Sequence, residues 1–479
     1  MLGRERNRRG GADFPIGDFR MSGFLASTDS SWLSWCPMTD RESAAERARA
    51  VRAALPADGL FAGQTWRIAP EPFALGEAMV AELETLGRVL LQFYRAVNLL
   101  YRRSVEGRAP AWVAQVLDQG KPERLIALQR DPAFKNEVPR VIRPDILLTE
   151  DGFAISELDS VPGGIGLTQW LNETYASLAP GSWSLVGGTD GMRKGFASIF
   201  GEARRVHLVV SEESASYRPE MAWIAGRMDG IDCSVRDAEF TDFQGGDAVY
   251  RFFELFDLAN VPSSSRIFES AQAGRIRLTP PPKPVFEEKM LFALLWNRNL
   301  QEFWRQELGE GFLRRLMKHV PRTWILDPAP LPPSAAYPGL ELTDWRQLKG
   351  LSQRERELIL KVSGYSEEAW GARGVYLGSD LSTADWSVAV EKALAAWPRS
   401  PYILQKFHRP KVVETSWFDF EKSEVQPMPG RVRLCPYYFV SGDGPAARTQ
   451  LGGVLATIVP ADKKIVHGMK DGILAPCRT

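Results

Sequence analysis

The sequence predicts a multidomain protein of mixed α and β structure, and three observations lead to that class. Its 479 residues exceed the size of one typical domain. Helical patterns dominate the chain up to about residue 140, whereas strand patterns and a β-α-β unit fill most of the rest. A content of 44% hydrophobic and 25% charged residues is typical of a folded protein and excludes disorder for most of the chain.

The N-terminal part divides into a tail and a helical region. Residues 1–30 show no hydrophobic periodicity, which predicts a disordered tail. Thr39-Asp40-Arg41-Glu42 matches the capping-box pattern and predicts a helix that runs to about Leu55. Apolar residues then recur every three or four positions from about Leu75 to Arg103, so a longer helix is predicted there. Residues 31–140 are therefore expected to be mostly helical.

A β-hairpin is predicted after this helical region. Residues 143–148 form a short apolar strand, Asp151-Gly152 is a turn dipeptide, and residues 153–159 alternate between polar and apolar. A glycine-rich loop at residues 162–166 then opens another helix. We treat residues 141–200, which hold this hairpin, loop and helix, as one segment of the domain organisation.

A parallel sheet is predicted in the middle of the chain. Strands at residues 206–210 and 231–235 flank a helix from Tyr217 to Met228, which makes a β-α-β unit, and residues 248–256 form a further strand. The proline-rich stretch at residues 280–284 marks a boundary. Residues 201–285 are therefore expected to form an α/β domain. The last part, residues 286–479, holds two further strands, a glycine-containing loop and antiparallel strands from 431 to 473.

Charge and cysteine content exclude several functional classes. Lys plus Arg and Asp plus Glu both number 59, and a net charge of zero argues against nucleic acid or a membrane surface as partner. Cys36, Cys233, Cys435 and Cys477 lie far apart, which disfavours a disulfide framework or a cysteine zinc site. No apolar run is long enough to cross a bilayer and no secretory signal is found, so a cytoplasmic location is expected.

The predicted hairpin carries the strongest chemical pattern. Residues two apart in a strand share a face, so Arg143 and Asp145 point one way, as do Glu157 and Asp159. Pairing through the hairpin can bring all four to one side. Three carboxylates there repel one another unless cations bind, and hard oxygen ligands suit Mg²⁺ that also holds phosphates. The alternative is a solvated face on which Arg143 pairs with a carboxylate, and spacing alone favours that alternative.

A second pattern lies in the last third of the chain. Lys361 ends an apolar strand and is followed by Ser363, Gly364 and Gly374. Glycine-rich loops expose N–H groups to phosphates, and a lysine adds a positive charge. A lysine whose stem lies on apolar surface is the other interpretation. Local propensity predicts that Lys289 is an exposed lysine on a helix. Residues 402–407 are predicted to form a strand, which either supplies backbone groups to an adenine or is a plain core strand.

In their order along the chain, these motifs resemble the circularly permuted ATP-grasp proteins, and most of all the synthetase domain of glutathionylspermidine synthase. The resemblance runs from about Val141 to the C-terminus. Its motifs are the Arg-x-Asp strand with a glutamate twelve residues later, the lysine before a Leu-rich helix, the strand lysine with its glycine loop, and a late strand arginine. They are carried here by Arg143, Asp145, Glu157, Lys289, Lys361, Gly374 and Arg433.

The resemblance implies a circularly permuted ATP-grasp fold, with a Rossmann-like pre-ATP-grasp domain and a helical N-terminal region. It also implies ATP and Mg²⁺ as cofactors, and a role for each motif residue. Magnesium would be held by Asp145, Glu157 and Asp159; catalysis would use Arg143 and Arg433; and ATP would be bound by Lys289, Lys361, Ser363, Gly364, Gly374, Leu404, Gln405, Lys406 and Phe407.

The implied function is an ATP-dependent carboxylate–amine ligase that works through an acyl phosphate and releases ADP and phosphate. Its partners would be a small-molecule or peptide carboxylate and an amine.

Two departures from the family keep other functions open. Asp159 stands where the family has Asn, and the glycine loop carries Glu367 and Glu368, which disfavour phosphate binding unless they point away. The alternatives are a catalytically degenerate ATP-binding scaffold or regulatory module, and a small-molecule kinase on the same fold.

Overall fold

Three β-sheets organise the chain in a computed structural model, which describes residues 38–56, 65–369, 371, 373–466 and 471–479. The predicted tail at residues 1–30 and Cys36 lie outside the described residues. Residues 43–479 form one compact unit. Among the described residues, no helix combines the length and the apolar character needed to cross a membrane.

The helices confirm the helical character predicted before residue 140. They are, in chain order, α1 (Met38–Ala53), α2 (Glu77–Val105), α3 (Ala111–Asp118), α4 (Glu123–Arg130), α5 (Ile165–Leu178), α6 (Gly191–Ser198), α7 (Arg218–Ala225), α8 (Ser264–Gln272), α9 (Leu291–Trp296), α10 (Gln301–His319) and α11 (Thr383–Ala395).

The strands are, in chain order, β1 (Phe73–Ala74), β2 (Val141–Thr149), β3 (Gly152–Asp159), β4 (Arg205–Val210), β5 (Asp232–Arg236), β6 (Ala248–Phe252), β7 (Arg277–Thr279), β8 (Thr323–Ile325), β9 (Leu358–Val362), β10 (Val375–Leu377), β11 (Tyr402–Lys406), β12 (Val412–Asp419), β13 (Glu424–Ser441), β14 (Arg448–Pro460) and β15 (Ile473–Arg478).

The largest sheet carries the predicted hairpin at its edge. Its order is β1-β15-β14-β13-β2-β3, and β12 also pairs with β13. The long helix α2 packs on this sheet because its apolar residues, among them Leu83, Leu90 and Phe93, form a continuous buried stripe. Burial of each such side chain contributes about 1.5–3 kcal/mol. The N-terminal helical region and the C-terminal strands therefore share one core.

The second sheet is parallel, in the order β5-β4-β6-β7, and it confirms the predicted β-α-β unit. Strand β4, helix α7 and strand β5 form that unit. The strand predicted at residues 248–256 ends earlier, at Phe252, and a 3₁₀ helix follows from Leu255 to Asn260. Glu254 therefore lies just beyond the carboxyl end of β6, where α/β folds commonly bind ligands.

The third sheet is antiparallel, in the order β10-β9-β11-β8, with α11 packed on one face. Side chains alternate between the two faces of a strand. Leu360 and Leu404 point into the apolar core beneath α11. Lys361 and Gln405 consequently point to the other face, where Lys361 bonds the backbone of β3. This alternation sends a lysine toward the hairpin.

Candidate active site

Hairpin strands β2 and β3 bring the four predicted charges together. In the antiparallel register, Arg143 pairs with Asp159 and Asp145 pairs with Glu157, with an irregularity just after Asp145. Directly opposed residues share a face of the sheet. Arg143 Nε lies 3.1 Å from Asp145 Oδ1, and its Nη2 lies 2.9 Å from Asp159 Oδ2. The predicted arrangement on one side of the hairpin is thus confirmed, and the arginine is paired with two of the carboxylates.

A second guanidinium reaches the same aspartate. Strand β13 lies beside β2, and Arg433 Nη1 is 3.2 Å from Asp145 Oδ2. Asp145 is therefore held between Arg143 and Arg433, and only 8% of it is exposed. The two predicted catalytic arginines are fixed by this shared carboxylate, which limits their side-chain freedom before any ligand binds.

Lys289 joins the hairpin to the glycine loop. Its Nζ lies 2.9 Å from Glu157 Oε1 and donates to the carbonyl oxygen of Ala369 at 2.9 Å. The residue precedes α9 instead of lying within it, so the prediction of an exposed helix lysine is wrong. Burial lowers the pKa of Lys289, but nearby carboxylates outweigh burial and raise that pKa above its usual value. The ammonium therefore stays charged.

Lys361 reaches the hairpin from β9. Its Nζ donates to the backbone oxygen of Ser156 and to Gln405 Oε1, both at 3.0 Å. Burial lowers the pKa of Lys361 to about 8, and the charge of Lys289 acts in the same direction while Glu157 opposes it. Lys361 is thus a buried strand lysine in the hairpin neighbourhood, and Gln405 holds its head group.

The residues predicted to bind adenine, 404–407, lie on β11 and directly after it. Leu404 is buried beneath α11, and Lys406 is exposed at the end of β11. The backbone N–H of Lys406 already donates to the backbone oxygen of Arg322, and that of Phe407 donates to the backbone oxygen of Glu357. An adenine at this strand end would therefore meet carbonyl oxygens and side chains, since these two N–H donors are in use.

The start and end of the glycine loop are packed tightly. Ser363 is fully buried, and its hydroxyl donates to Glu288 and accepts from the N–H of Met290. A Cβ on Gly364 would lie 2.6 Å from the backbone oxygen of Glu287, so the position requires glycine. At the other end, the Gly374 N–H donates to the backbone oxygen of Glu368 at 2.8 Å. Residues 370 and 372 of the loop lie outside the described residues.

Glu368 and Glu367, the two acidic residues of the loop, differ in their surroundings. Glu368 binds Lys392 at 2.8 Å and the Tyr402 hydroxyl at 3.0 Å, on the side of the small sheet that faces α11. Glu367 is exposed to solvent. Neither side chain lines the cavity that the loop borders.

A cavity of about 60 Å³ lies where these elements meet. It is bounded by the hairpin, by the end of β6, by the segment before α9 and by the glycine loop. Its lining is Glu157, Leu158, Asp159, Ser160, Glu254, Phe256, Glu287, Lys289, Gly364, Tyr365 and Ala369. The hairpin, Lys289 and the start of the glycine loop therefore share one cavity, whereas Lys361, Asp145, Arg143 and Arg433 do not line it.

Sequence reasoning missed two carboxylates of this cavity. Glu254 follows β6, and burial together with the charges of Glu287 and Asp159 raises the pKa of Glu254 well above its usual range. Glu287 is held by the fully buried Arg251, 2.6 Å away. The position of Glu254 at the carboxyl end of a parallel strand was the available signal. No local pattern distinguishes Glu287 from a surface glutamate.

The donor set fits magnesium in part. Glu157 and Asp159 line the cavity, with 34% and 24% of their side chains exposed, and their oxygens are ligands that Mg²⁺ prefers. Asp145 lies behind them between its two arginines. Within the described part of the chain, no group of three or more His, Cys, Asp or Glu side chains is arranged to hold a metal ion. Glu157 and Asp159 are thus the fitting ligands of the predicted three.

Comparisons with known proteins support the fold. No family model and no curated protein matches the sequence. The chain is similar to the apo structure of a glutathione synthetase-like effector from Globodera pallida, with a TM-score of 0.51 and 10% identity over 93% of this chain and 98% of that one. A putative gamma-glutamylcysteine synthetase from Methylobacillus flagellatus has a TM-score of 0.36 and 11% identity over 81% of this chain and 88% of its own, too low to argue from.

The first similarity, at 10% identity, concerns the fold alone. The chain therefore has a mixed α/β fold similar to that of a glutathione synthetase-like protein, which is consistent with the predicted ATP-grasp type. The specific likeness to glutathionylspermidine synthase and the circular permutation both stay predictions. The predicted domain limits and the roles of the individual site residues also stay predictions.

Proposed function

We propose that this chain is an ATP-dependent carboxylate–amine ligase. The observation that carries the proposal is the single cavity at which the acidic hairpin, Lys289 and the glycine loop meet. The hairpin carboxylates and the Lys289 ammonium on one cavity suit a magnesium–triphosphate, whose cation and anion need partners of opposite sign. The similarity of the fold to a glutathione synthetase-like protein is in accord with this class.

When bound, MgATP would supply the phosphoryl group that converts a substrate carboxylate into an acyl phosphate, with ADP as the leaving group. An amine would then attack the acyl carbon, form the amide and expel phosphate. Glu157 and Asp159 would hold the magnesium. This chemistry requires positioning and charge neutralisation by the protein, and no covalent enzyme intermediate.

The basic residues would do most of that work. Lys289 is kept protonated by the surrounding carboxylates and would neutralise phosphoryl oxygens. Arg143 and Arg433 are fixed on Asp145, so their remaining N–H donors are preorganised for an anionic substrate group. Lys361 would add a positive charge from β9. Each of these groups is oriented by contacts that exist before a ligand arrives, which lowers the reorganisation needed during the reaction.

The test is a magnesium-dependent reaction screen. Purified protein is incubated with ATP, Mg²⁺ and pooled amino acids, peptides and polyamines, and both ADP and condensation products are measured by mass. ADP formation that depends on an acid and an amine together supports a ligase. A phosphorylated acceptor without condensation would instead identify a kinase, and nucleotide binding without turnover in any pool would identify a scaffold. Glu157→Gln serves as the inactive control.

A further inference from the structure

A buried ion pair lies directly behind the glycine loop. Lys121 Nζ is 2.6 Å from Glu288 Oε1, and each side chain is only 1% exposed. Lys121 belongs to the turn between α3 and α4, in the N-terminal helical region, whereas Glu288 immediately precedes Lys289. The helical region therefore contributes a charged group to the neighbourhood of the candidate active site.

Glu288 connects this lysine to the loop itself. Its second carboxylate oxygen accepts a hydrogen bond from the hydroxyl of Ser363, the first residue of the glycine loop. The backbone oxygen of Ser363 accepts from the N–H of Lys289 at 2.8 Å. Gly364 packs so closely that an added Cβ would lie 2.8 Å from the Glu288 carboxyl carbon. A displacement of Glu288 would therefore shift both the start of the loop and Lys289.

The turn that carries Lys121 contacts the segment that joins α11 to β11. The Gln119 amide donates to the backbone oxygen of Trp397, which lies between α11 and β11. Gly120 has φ +74°, and a Cβ there would come within 1.8 Å of the Arg399 backbone oxygen. Only glycine permits this approach. Lys121 is thus presented from a turn that packs against the segment joining α11 to β11.

A buried ion pair is by itself weak evidence of a stabilising role. Removing two charges from water is costly, and an apolar pair of similar volume is often as stable or more so. An apolar pair, however, could not accept a hydrogen bond from Ser363. The charged pair supplies a direction that apolar packing lacks, because the carboxylate is oriented by the ammonium on one side and holds a hydroxyl on the other.

We propose that Lys121, acting through Glu288, is a positioning residue that fixes the start of the glycine loop and Lys289 for nucleotide binding. The nucleotide part of this inference rests on the proposed function, whereas the loop part does not. The helical region at residues 31–140 thereby acquires a role in the nucleotide site.

The test compares three variants of the full chain. Lys121→Met breaks the pair, and the double variant Lys121→Met/Glu288→Met replaces it by an apolar pair. Lys283→Met is the matched control: Lys283 is also a buried lysine, but its ammonium donates to Asn98 and to the Glu137 backbone oxygen instead of contacting Glu288. Three quantities are measured: thermal unfolding, hydrogen–deuterium exchange of the amides at residues 363–369 without nucleotide, and the Kd of MgATP.

We expect Lys121→Met to lose stability and the double variant to regain it. Both should show faster exchange at residues 363–369 and roughly tenfold weaker MgATP binding, the lower end of the effect of residues that orient a binding group. Lys283→Met should leave the exchange at residues 363–369 and the Kd of MgATP unchanged. Wild-type exchange in Lys121→Met or in the double variant, or faster exchange in the control, would overturn the positioning role. If the wild-type chain does not bind MgATP, the proposed function fails, and the exchange data still decide whether Lys121 positions the loop.

Discussion

Glu157 Oε1 lies 2.9 Å from Lys289 Nζ, and this contact joins the acidic hairpin to the segment that precedes α9. Both side chains line the same cavity. A triphosphate that enters the cavity would compete with Glu157 for the ammonium, and the released carboxylate oxygen would become available to the magnesium of the same ligand. The ion pair holds the two side chains together, and the nearby carboxylates raise the pKa of Lys289 so that its ammonium stays charged.

Glu157→Gln should abolish magnesium-dependent ADP formation while the fold persists. The amide keeps the shape of the side chain but supplies a poorer magnesium ligand and no counter-charge for Lys289. We expect at least roughly a 100-fold loss of turnover, and a loss of stability within about 1 kcal/mol, because the pair is partly exposed. Turnover assays and chemical denaturation measure the two quantities. Full activity in this variant would remove Glu157 from the metal assignment.

Asp145→Asn should lower the free energy of unfolding more than Glu157→Gln does. Asp145 is buried between Arg143 and Arg433, so the amide leaves two guanidinium groups without their shared charge. We expect a loss of about 1–3 kcal/mol in the free energy of unfolding together with loss of turnover. Denaturation of the two variants side by side provides the comparison. Equal stability in both would mean that the arginines are satisfied by other partners.

Lys361→Met should weaken nucleotide binding, and the wild-type affinity should depend on pH. Because the pKa of Lys361 is lowered to about 8, the ammonium is charged at pH 7 and loses its proton as the pH rises through 8. Affinity for MgATP should therefore fall between about pH 7 and pH 9 in the wild type and stay flat in the variant. Titration calorimetry at several pH values measures this. An unchanged Kd in the variant would refute the role.

The hairpin was predictable from the sequence because its geometry is local. A turn dipeptide and a period of two place Arg143, Asp145, Glu157 and Asp159 on one side without reference to the rest of the chain. The β-α-β unit was predictable for the same reason. The meeting of hairpin and glycine loop was expected only through the family resemblance, since no spacing rule relates segments that far apart.

The environment of Lys289 was not predictable from its neighbours in sequence. Propensity described an exposed helix lysine, but contacts with Glu157 and Ala369 bury it before α9 begins. Tertiary packing also decides the surroundings of Glu254 and Lys121, whose partners come from other parts of the fold. Local patterns therefore identified the carboxylates of the hairpin but not the charged groups that other parts of the fold bring to the site.

Gly364→Ala should impair nucleotide binding more than it impairs folding. The new Cβ would lie 2.6 Å from the Glu287 backbone oxygen and close to the Glu288 carboxylate, so the start of the loop must move. Gly350→Ala is the control, because nothing lies within 4 Å of a Cβ there and the glycine has no positive φ. We expect weaker MgATP binding only in Gly364→Ala. Identical Kd values in the two variants would show that the loop start tolerates displacement.

The stability of the fold should fall as the pH rises from about 4.5 to about 7, because of Glu220. This buried glutamate accepts a hydrogen bond from the Gly164 N–H at 2.7 Å, at the start of α5, yet burial raises its pKa from 4.5 to about 7. In this interval the folded chain holds a proton that the unfolded chain has lost, so unfolding releases a proton and is favoured by higher pH. The free energy of unfolding should drop by up to about 3 kcal/mol, at about 1.4 kcal/mol per pKa unit.

Glu220→Gln cannot titrate and should lack this part of the pH dependence. Denaturation at pH 5 and pH 7.5 would then show a smaller difference in the free energy of unfolding than in the wild type. The same pH dependence in both proteins would mean that the carboxylate of Glu220 is already ionised in the folded chain at pH 5.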